Sequence, residues 1–211
     1  MDQPRSIFHP SPDIDVDTLA NLGPLRPLAG IWQGRAGHDV NPGEDGARES
    51  AFDERIELQP IDPQSNGPQL FYGLRYVSHM TRPGEVGTYH GQVGYWLWEP
   101  ATGLLIHSFT IPRGQVVLAE GRAEAGATRF EVRAARGTTQ AGICSTSFLE
   151  DAFRTTDFVM RVTVQDDGSW SYFQDTLMLV KGRDEPFHHT DRNRLVRIGE
   201  ATPNPLALEA A

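Results

Sequence analysis

Two histidines occupy positions whose neighbours on the same face are apolar. His107 alternates with Leu105 and Phe109, and His90 shares a predicted strand face with Trp96. A histidine in such surroundings is either a hydrogen-bonded core side chain or a group that acts on a bound molecule, as a hydrogen-bond donor or a general base. The spacing identifies no partner carboxylate for either histidine, so both interpretations stay open at this point.

Arginine and tyrosine form a second group of candidates, because a guanidinium beside a hydroxyl binds a carboxylate well. Arg75 and Tyr76 are adjacent in the chain, and Arg113 lies in a predicted turn, Pro112-Arg113-Gly114. Either arginine could anchor the acidic head of an otherwise apolar ligand inside a cavity.

Several common catalytic and cofactor motifs are missing from the sequence. It contains no GxSxG, no glycine-rich loop ahead of a helix and no Cys/His spacing of a structural zinc site. The single cysteine, Cys144, cannot form an intramolecular disulfide and is interpreted as a small apolar filler. The motifs alone therefore define no catalytic site.

The net charge and the hydropathy of the chain argue against nucleic-acid-binding and membrane-associated proteins. The chain of 211 residues has 28 acidic and 19 basic side chains and a net charge of −9, which argues against binding to nucleic acid or anionic membranes. Residues 1–6 lack the features of a secretory signal, and no run approaches the roughly 18 apolar residues of a membrane-spanning helix. We predict a soluble, cytoplasmic protein without nucleic-acid or membrane partners.

The elements that would position the candidate residues are strands. From Leu25 onward the dominant period is two, as where Phe130, Val132 and Ala134 alternate with charged residues. Short turn signals such as Asp167-Gly168 predict that neighbouring strands pair antiparallel. About ten such strands predict an all-β, up-and-down antiparallel β-barrel with room inside for a small ligand. Beyond those at 129–134 and 156–164, strands are predicted near 30–37, 50–59, 69–79, 86–98, 104–111, 115–121, 139–147, 169–181 and 187–198.

The chain divides into a lead-in segment (1–24), the barrel (25–199) and a flexible tail (200–211). Short helices are predicted over Val16–Leu22, with Asp15 as N-cap, and near Phe148–Phe153. Residues 37–46 and 60–68 are rich in turn-forming residues and are predicted to be exposed loops that guard an opening.

The segment Leu28-Ala29-Gly30-Ile31-Trp32-Gln33-Gly34-Arg35-Ala36 combines two glycines with a tryptophan. The glycines allow a close approach of the backbone, and Trp32 either contacts a ligand or plugs the closed end of a barrel. The segment resembles the GxWxGxG signature of the nitrobindin-like (THAP4-type) haem-binding β-barrel family, which is similar in shape to lipocalins and fatty-acid-binding proteins. Val93–Trp98 and Gly114–Gly121 are similar to two further strands of that family.

The resemblance implies that a histidine near the C-terminus ligates haem iron, in a region that here contains His188 and His189. Successive side chains of a strand point to opposite faces, so at most one of the two can face the inside of the barrel. We choose His189, because an aliphatic and basic ending follows it as in the family; His188 is the alternative. Asp191 is a conceivable partner for the second ring nitrogen.

The resemblance therefore implies a barrel that binds haem b through His189, with reversible nitric oxide binding by ferric iron and isomerisation of peroxynitrite to nitrate. One alternative is a haem-free carrier, like a lipocalin or fatty-acid-binding protein, that holds an apolar carboxylate with Arg75 and Tyr76. Another is an enzyme with His90 or His107 as its general base. Candidates for contact with the ligand, besides His188 and His189, are Trp32, His90, His107, Arg75 and Arg113.

Overall fold

The structure, a computed structural model, describes residues 7–9 and 14–210. Its strands are β1 (Gly30–Gly43), β2 (Gly46–Pro60), β3 (Gln64–Asn66), β4 (Gln69–Thr81), β5 (Thr88–Glu99), β6 (Leu104–Ile111), β7 (Gln115–Arg122), β8 (Arg129–Arg136), β9 (Gly142–Ser145), β10 (Phe153–Val164), β11 (Trp170–Val180) and β12 (Phe187–Gly199). Its helices are α1 (Thr18–Asn21), a 3-10 helix (Gly23–Leu28), α2 (Ser147–Ala152) and α3 (Pro205–Ala210).

Hydrogen bonding closes the strands into a barrel. The order β2-β1-β12-β11-β10-β8-β7-β6-β5-β4 returns to β2 through a direct β2–β4 pairing, and β9 is inserted between β8 and β7. Among the described residues β3 pairs only with β4, so eleven of the twelve strands found there belong to the barrel. The prediction of a closed all-β barrel is confirmed, and its likeness to lipocalins stays a prediction. We call the inside of the barrel the lumen.

The strand pairing is mixed, so the prediction of a purely antiparallel barrel is wrong. β8 and β9 pair parallel, through Ala135–Gly142 and Arg136–Ile143. Both are antiparallel to β7, β8 along its C-terminal end and β9 along its N-terminal end. After β8 the chain shifts sideways, and β9 then runs in the same direction as β8, beside the N-terminal end of β7. The segment 139–147, predicted as one strand, therefore contains only the short β9 before α2 begins.

The segment that precedes β1 closes one end of the barrel. The 3-10 helix buries Leu25 and Leu28, and Trp32 of β1 is fully buried with them. The indole N–H of Trp32 donates to the carbonyl of Leu28 at 2.8 Å. The guanidinium carbon of Arg197 lies 4.3 Å from the centre of a Trp32 ring. Trp32 therefore packs at the closed end, and we call the opposite end the mouth.

A bulge in β1 decides which of its side chains face the lumen. Gly34 pairs with Glu54 of β2, but the next pair is Gly37 with Phe52, so β1 carries one extra residue. The buried positions of β1 change there from even to odd numbers. Asp39 consequently points into the lumen, where it is 2% exposed.

This pairing corrects the prediction of an exposed loop over 37–46. Residues of β1 up to Gly43 pair with β2, which begins at Gly46. The turn-forming composition of the segment predicted a loop, but pairing with β2 and β12 outweighs local propensity. The second predicted loop, 60–68, contains the short strand β3.

The helices are short. The predicted lead-in helix is α1, and its N-cap is Asp17, whose side chain accepts from the backbone N–H of Ala20 at 3.2 Å. The prediction of Asp15 as N-cap is therefore wrong; the Asp15 carboxylate instead accepts from the N–H of Asp17. Within the described residues, no helix has the length and apolar character needed to cross a membrane.

The segment after β12 is joined to the rest of the protein by Asn204, which is fully buried. The Asn204 amide donates to the carbonyl of Val16 and to Asp62 Oδ1, each at 2.9 Å. Its oxygen accepts from the backbone N–H of Thr18 at 3.1 Å. One side chain thus connects the N-terminal segment, the segment after β2 and the C-terminal segment.

Candidate functional site

Polar side chains collect in the lumen towards the mouth, whereas aromatic and aliphatic side chains fill the part near Trp32. Because a buried polar group is costly unless it has partners, such a concentration indicates a specific role. These polar side chains include Asp39, Ser50, Glu54, Gln174, His189, Asp191 and Asn193.

The two adjacent histidines of β12 point in opposite directions. His189 shares the inward face with Asp191 and Asn193, and its side chain is 27% exposed. His188 points outward, with its side chain 64% exposed, and its Nδ1 lies 2.9 Å from Asp175 on the outer surface. His189 is therefore the histidine of this pair that a ligand in the lumen could reach.

His189 is held by a carboxylate that the sequence analysis missed. Its Nε2 lies 2.9 Å from Asp39 Oδ1 and 3.7 Å from Asp191 Oδ2. The nearer partner is thus Asp39, not Asp191. The other oxygen of Asp39 accepts from Asn41 at 2.6 Å and from Ser50 at 3.2 Å, so its orientation is well determined.

Burial and neighbouring charges shift the pKa values of this group. Burial raises the pKa of Asp39, but the hydrogen bond and charge of His189, together with the hydrogen bonds from Asn41 and Ser50, outweigh burial and bring it below the usual range. Burial lowers the pKa of His189, but the hydrogen bond to Asp39 and the charges of Asp191 and Asp39 bring it above the usual range. Both shifts favour the charged forms, Asp39 as the carboxylate and His189 as the imidazolium.

The pKa of Asp191 rises to about 7. Burial is the largest cause, the charge of His189 opposes it, and the charges of Asp39 and Glu54 add to it. Near neutral pH the Asp191 carboxyl group beside the Asp39–His189 pair therefore exchanges a proton readily.

Glu54 of β2 lies deeper in the lumen, and its carboxylate accepts hydrogen bonds from three side chains. Ser78 donates to Oε1 at 2.8 Å, and Oε2 accepts from the Tyr172 hydroxyl at 2.9 Å and from the Asn193 amide at 3.1 Å. Burial nevertheless raises the pKa of Glu54. The mouth side of the lumen is thus rich in acidic groups.

The glycines of the Gly30-Trp32-Gly34 motif leave room for other side chains. A Cβ on Gly34 would overlap the Asn193 amide, the same amide that donates to Glu54. A Cβ on Gly37 would likewise overlap the ring of Phe52. The large groups that approach these glycines closely are therefore side chains of the barrel itself.

A second bulge, in β5, brings Tyr89 to the mouth. Thr81 pairs with Thr88 but Met80 pairs with His90, so Tyr89 is the extra residue. Its ring lies 6.5 Å from the ring of the fully buried Phe52. Its hydroxyl is shielded from solvent and has no hydrogen-bond partner among the described residues. Burial and the charges of Asp39 and Asp191 raise the pKa of Tyr89.

The two histidines on apolar faces belong to one hydrogen-bonded chain. His107 Nε2 lies 2.9 Å from the hydroxyl of Tyr76, which donates to Gln92 Oε1 at 3.0 Å; Gln92 Nε2 lies 3.2 Å from His90 Nε2. Because the Tyr76 proton goes to Gln92, His107 donates from Nε2. Because the Gln92 amide donates, His90 carries its own proton on Nδ1.

Both histidines of this chain are neutral near pH 7. Burial lowers the pKa of His107 to about 3, and burial is also the largest cause that lowers the pKa of His90 to about 4. His107 stacks on Trp96, with ring centres 4.0 Å apart, as a hydrogen-bonded core side chain does. The acceptor nitrogen of His90 is used by Gln92, which leaves no free lone pair on His90 for a general base.

The arginine candidates lie outside the lumen. Arg75 is exposed on the outer face of β4, whereas Tyr76 points inward, so the two do not form one carboxylate anchor. Arg113 is exposed in the turn between β6 and β7, and its charge acts on both His90 and His189. A cavity of about 370 Å³, lined by Tyr89, His90 and Pro112 among others, opens near this turn.

A closed β-barrel with a histidine–carboxylate group inside its lumen is the class of protein that the fold and site define. Residues 21–197 match the THAP4-like, heme-binding beta-barrel domain family, and the chain belongs to this family. The resemblance to nitrobindin-like barrels is thereby confirmed. The comparison with curated proteins found no match.

Among solved structures, the chain is similar to Rv2717c from M. tuberculosis, with a TM-score of 0.60 and 20% sequence identity over 87% of this chain and 99% of that chain. A beta-barrel-like protein of the domain of unknown function DUF1849 from Brucella abortus aligns with a TM-score of 0.25 and 8% identity, over 80% of this chain and 97% of that chain. At 20% identity, the similarity to Rv2717c concerns the fold.

The donor set at the mouth fits a histidine that would hold haem iron. His189 faces the lumen, Asp39 holds its Nε2, and its Nδ1 has no hydrogen bond within the described part of the chain. A ligating histidine generally donates its second ring N–H to a carboxylate or carbonyl in this way.

Proposed function

We propose that the barrel binds one haem b in its lumen, with His189 as the residue that would hold its iron. The observation that carries this proposal is the inward Asp39–His189 pair in a member of a haem-binding family. Nδ1 of His189 would coordinate the iron while Nε2 continues to donate to Asp39. Asn41 and Ser50 would keep Asp39 in place, which fixes the direction of the imidazole.

Two residues near the mouth would contact the haem or a small molecule bound beside it. His90 is neutral and carries its proton on Nδ1, so it would act as a hydrogen-bond donor. Arg113 is exposed near both histidines and would pair with a haem propionate.

When bound, the haem would supply reversible binding of nitric oxide and the isomerisation of peroxynitrite to nitrate, as the family resemblance implies. The chain's own contribution would be to orient the His189 ring through Asp39, to keep a neutral donor at His90, and to exclude water from the packed part of the lumen.

The haem-free carrier of an apolar carboxylate has less support. Arg75 faces solvent, and the carboxyl groups of Asp39, Glu54 and Asp191 would repel an anionic head group in the lumen.

Titration of the purified protein with haemin tests the proposal. We expect a defined Soret band that saturates at one haem per chain. His189→Ala should abolish or shift this band, and Asp39→Asn should weaken binding about 10–100-fold because the orienting partner is lost. His188→Ala is the matched control, since its side chain lies on the outer face, and should bind haemin like the wild type.

Wild-type protein that shows no saturable Soret change would overturn the proposal. Loss of binding in His188→Ala with retention in His189→Ala would also overturn it. Circular dichroism of each variant separates a lost ligand from a lost fold.

A further inference from the structure

The residues around His189 also form a group of donors suited to a bare metal ion. Asp39, His189 and Asp191 each contribute one ligand atom, and these atoms lie within 4.8 Å of one another. The two carboxyl groups are 2% and 8% exposed, while the imidazole is more open. The group is thus enclosed by the wall of the barrel and accessible from the lumen.

The charges of this group are not balanced. Two carboxyl groups face one imidazole, so a negative charge stays without a cationic partner in this group whenever both are ionised. His189 provides at most one positive charge. Buried carboxylates are normally paired or bound to a metal, so a further cation would complete the site.

Neighbouring side chains hold the carboxylates as outer residues hold metal ligands. Asn41 and Ser50 donate to Asp39 Oδ2, which leaves Oδ1 directed at His189. Gln174 donates to Asp191 Oδ2 at 3.3 Å. Such outer hydrogen bonds orient the ligands of protein metal sites.

The hydroxyl of Tyr89, near the mouth, has no hydrogen-bond partner among the described residues. It is shielded from solvent, and it lies within the electrostatic influence of both Asp39 and Asp191. A water or other ligand on a bound cation would give this hydroxyl a partner.

We propose that Asp39, His189 and Asp191 bind a divalent transition-metal ion, of the class represented by Zn²⁺ and Co²⁺. One imidazole and two carboxylates are a mixed nitrogen and oxygen set, and three protein ligands leave a position open towards the lumen. Binding through Nε2 releases to solvent the proton that His189 shares with Asp39. The site uses the opposite ring nitrogen from the proposed haem site, so it does not depend on haem binding.

Titration of chelator-treated, haem-free protein with Co²⁺ tests the proposal, with visible absorption as the readout and Zn²⁺ competition as a second measurement. We expect one ion per chain. Asp191→Asn and Asp39→Asn should each weaken binding by at least about tenfold. Asp175→Asn is the matched control, because Asp175 of β11 pairs with His188 of β12 on the outer face of the barrel; it should bind Co²⁺ like the wild type.

Wild-type protein without saturable Co²⁺ binding, or equal binding in Asp191→Asn and wild type, would overturn the proposal. Circular dichroism checks the fold of each variant, and the two asparagine variants are independent tests if one fails to fold. Haemin titration separates the two proposals, since Asp191→Asn should bind Co²⁺ at least about tenfold more weakly but keep the Soret band. Wild type that binds Co²⁺ and not haemin would contradict the haem site alone.

Discussion

Oδ1 of Asp39 lies 2.9 Å from Nε2 of His189, although 150 positions separate the two residues in the chain. They meet because β1 and β12 are neighbours in the barrel, with Asp39 opposite Asp191. They face the same side because the bulge before Gly37 turns Asp39 inward. The central feature of the site is therefore a product of strand register.

The first prediction concerns the bulge segment. Gly34→Ala should destabilise the protein by about 2–4 kcal/mol, because the added methyl group overlaps the Asn193 amide and displaces a donor to Glu54. Urea unfolding measures the change. Gly87→Ala is the control, since nothing lies near an added Cβ there. Equal stability of the two variants would contradict the close packing of Gly34 against Asn193.

The second prediction concerns acid stability. His107 has a pKa of about 3 in the folded protein and an ordinary value near 6.5 when unfolded, so only the unfolded chain gains a proton as the pH falls between these values. This histidine therefore costs the wild type about 1.4 kcal/mol of stability per pH unit below about 6.5.

His107→Phe removes that cost but also removes the hydrogen bond to Tyr76, worth about 1 kcal/mol. We expect the variant to be less stable than the wild type at pH 7 and more stable near pH 4.5, where the proton-linked cost reaches about 3 kcal/mol. Urea unfolding at both pH values tests this reversal. A stability difference that does not change with pH would show that His107 does not stay neutral.

The third prediction separates packing from ligand contact at Trp32. Trp32→Phe should lower stability by about 2–4 kcal/mol, because it removes buried volume and the hydrogen bond to Leu28. Haemin affinity, measured where the variant is folded, should stay unchanged because Trp32 lies at the closed end. A large loss of affinity in the folded variant would show that Trp32 contacts the ligand.

The fourth prediction concerns Asn204. Asn204→Ala removes three hydrogen bonds of a fully buried side chain and should cost about 2–4 kcal/mol. Limited proteolysis should then cut the chain ends faster, whereas Asn66→Ala, in exposed β3, should behave as wild type. Unchanged proteolysis in Asn204→Ala would mean that other contacts hold the ends.

Much of the fold and one member of the site could be predicted from local pattern. Alternation along β8 and β10 identified strands and their buried faces, because a strand's period of two is a property of the backbone. The same rule places His188 and His189 on opposite faces. Applied to Arg75 and Tyr76, it would have shown that they cannot form one anchor.

Only the tertiary structure decided which residues join His189. Asp39 lies in a segment whose composition predicted a loop, and its inward direction depends on one extra residue between Gly34 and Gly37. Tyr89 likewise faces the mouth because of a bulge against β4, and β9 runs parallel to β8 because both share β7 as a partner. Hydrophobic periodicity reports the local backbone, whereas a bulge or a register is set by contacts between segments far apart in the chain. The sequence by itself therefore determined most of the strands, the all-β class and the family, and the pairing of those strands decided the chemistry that faces the lumen.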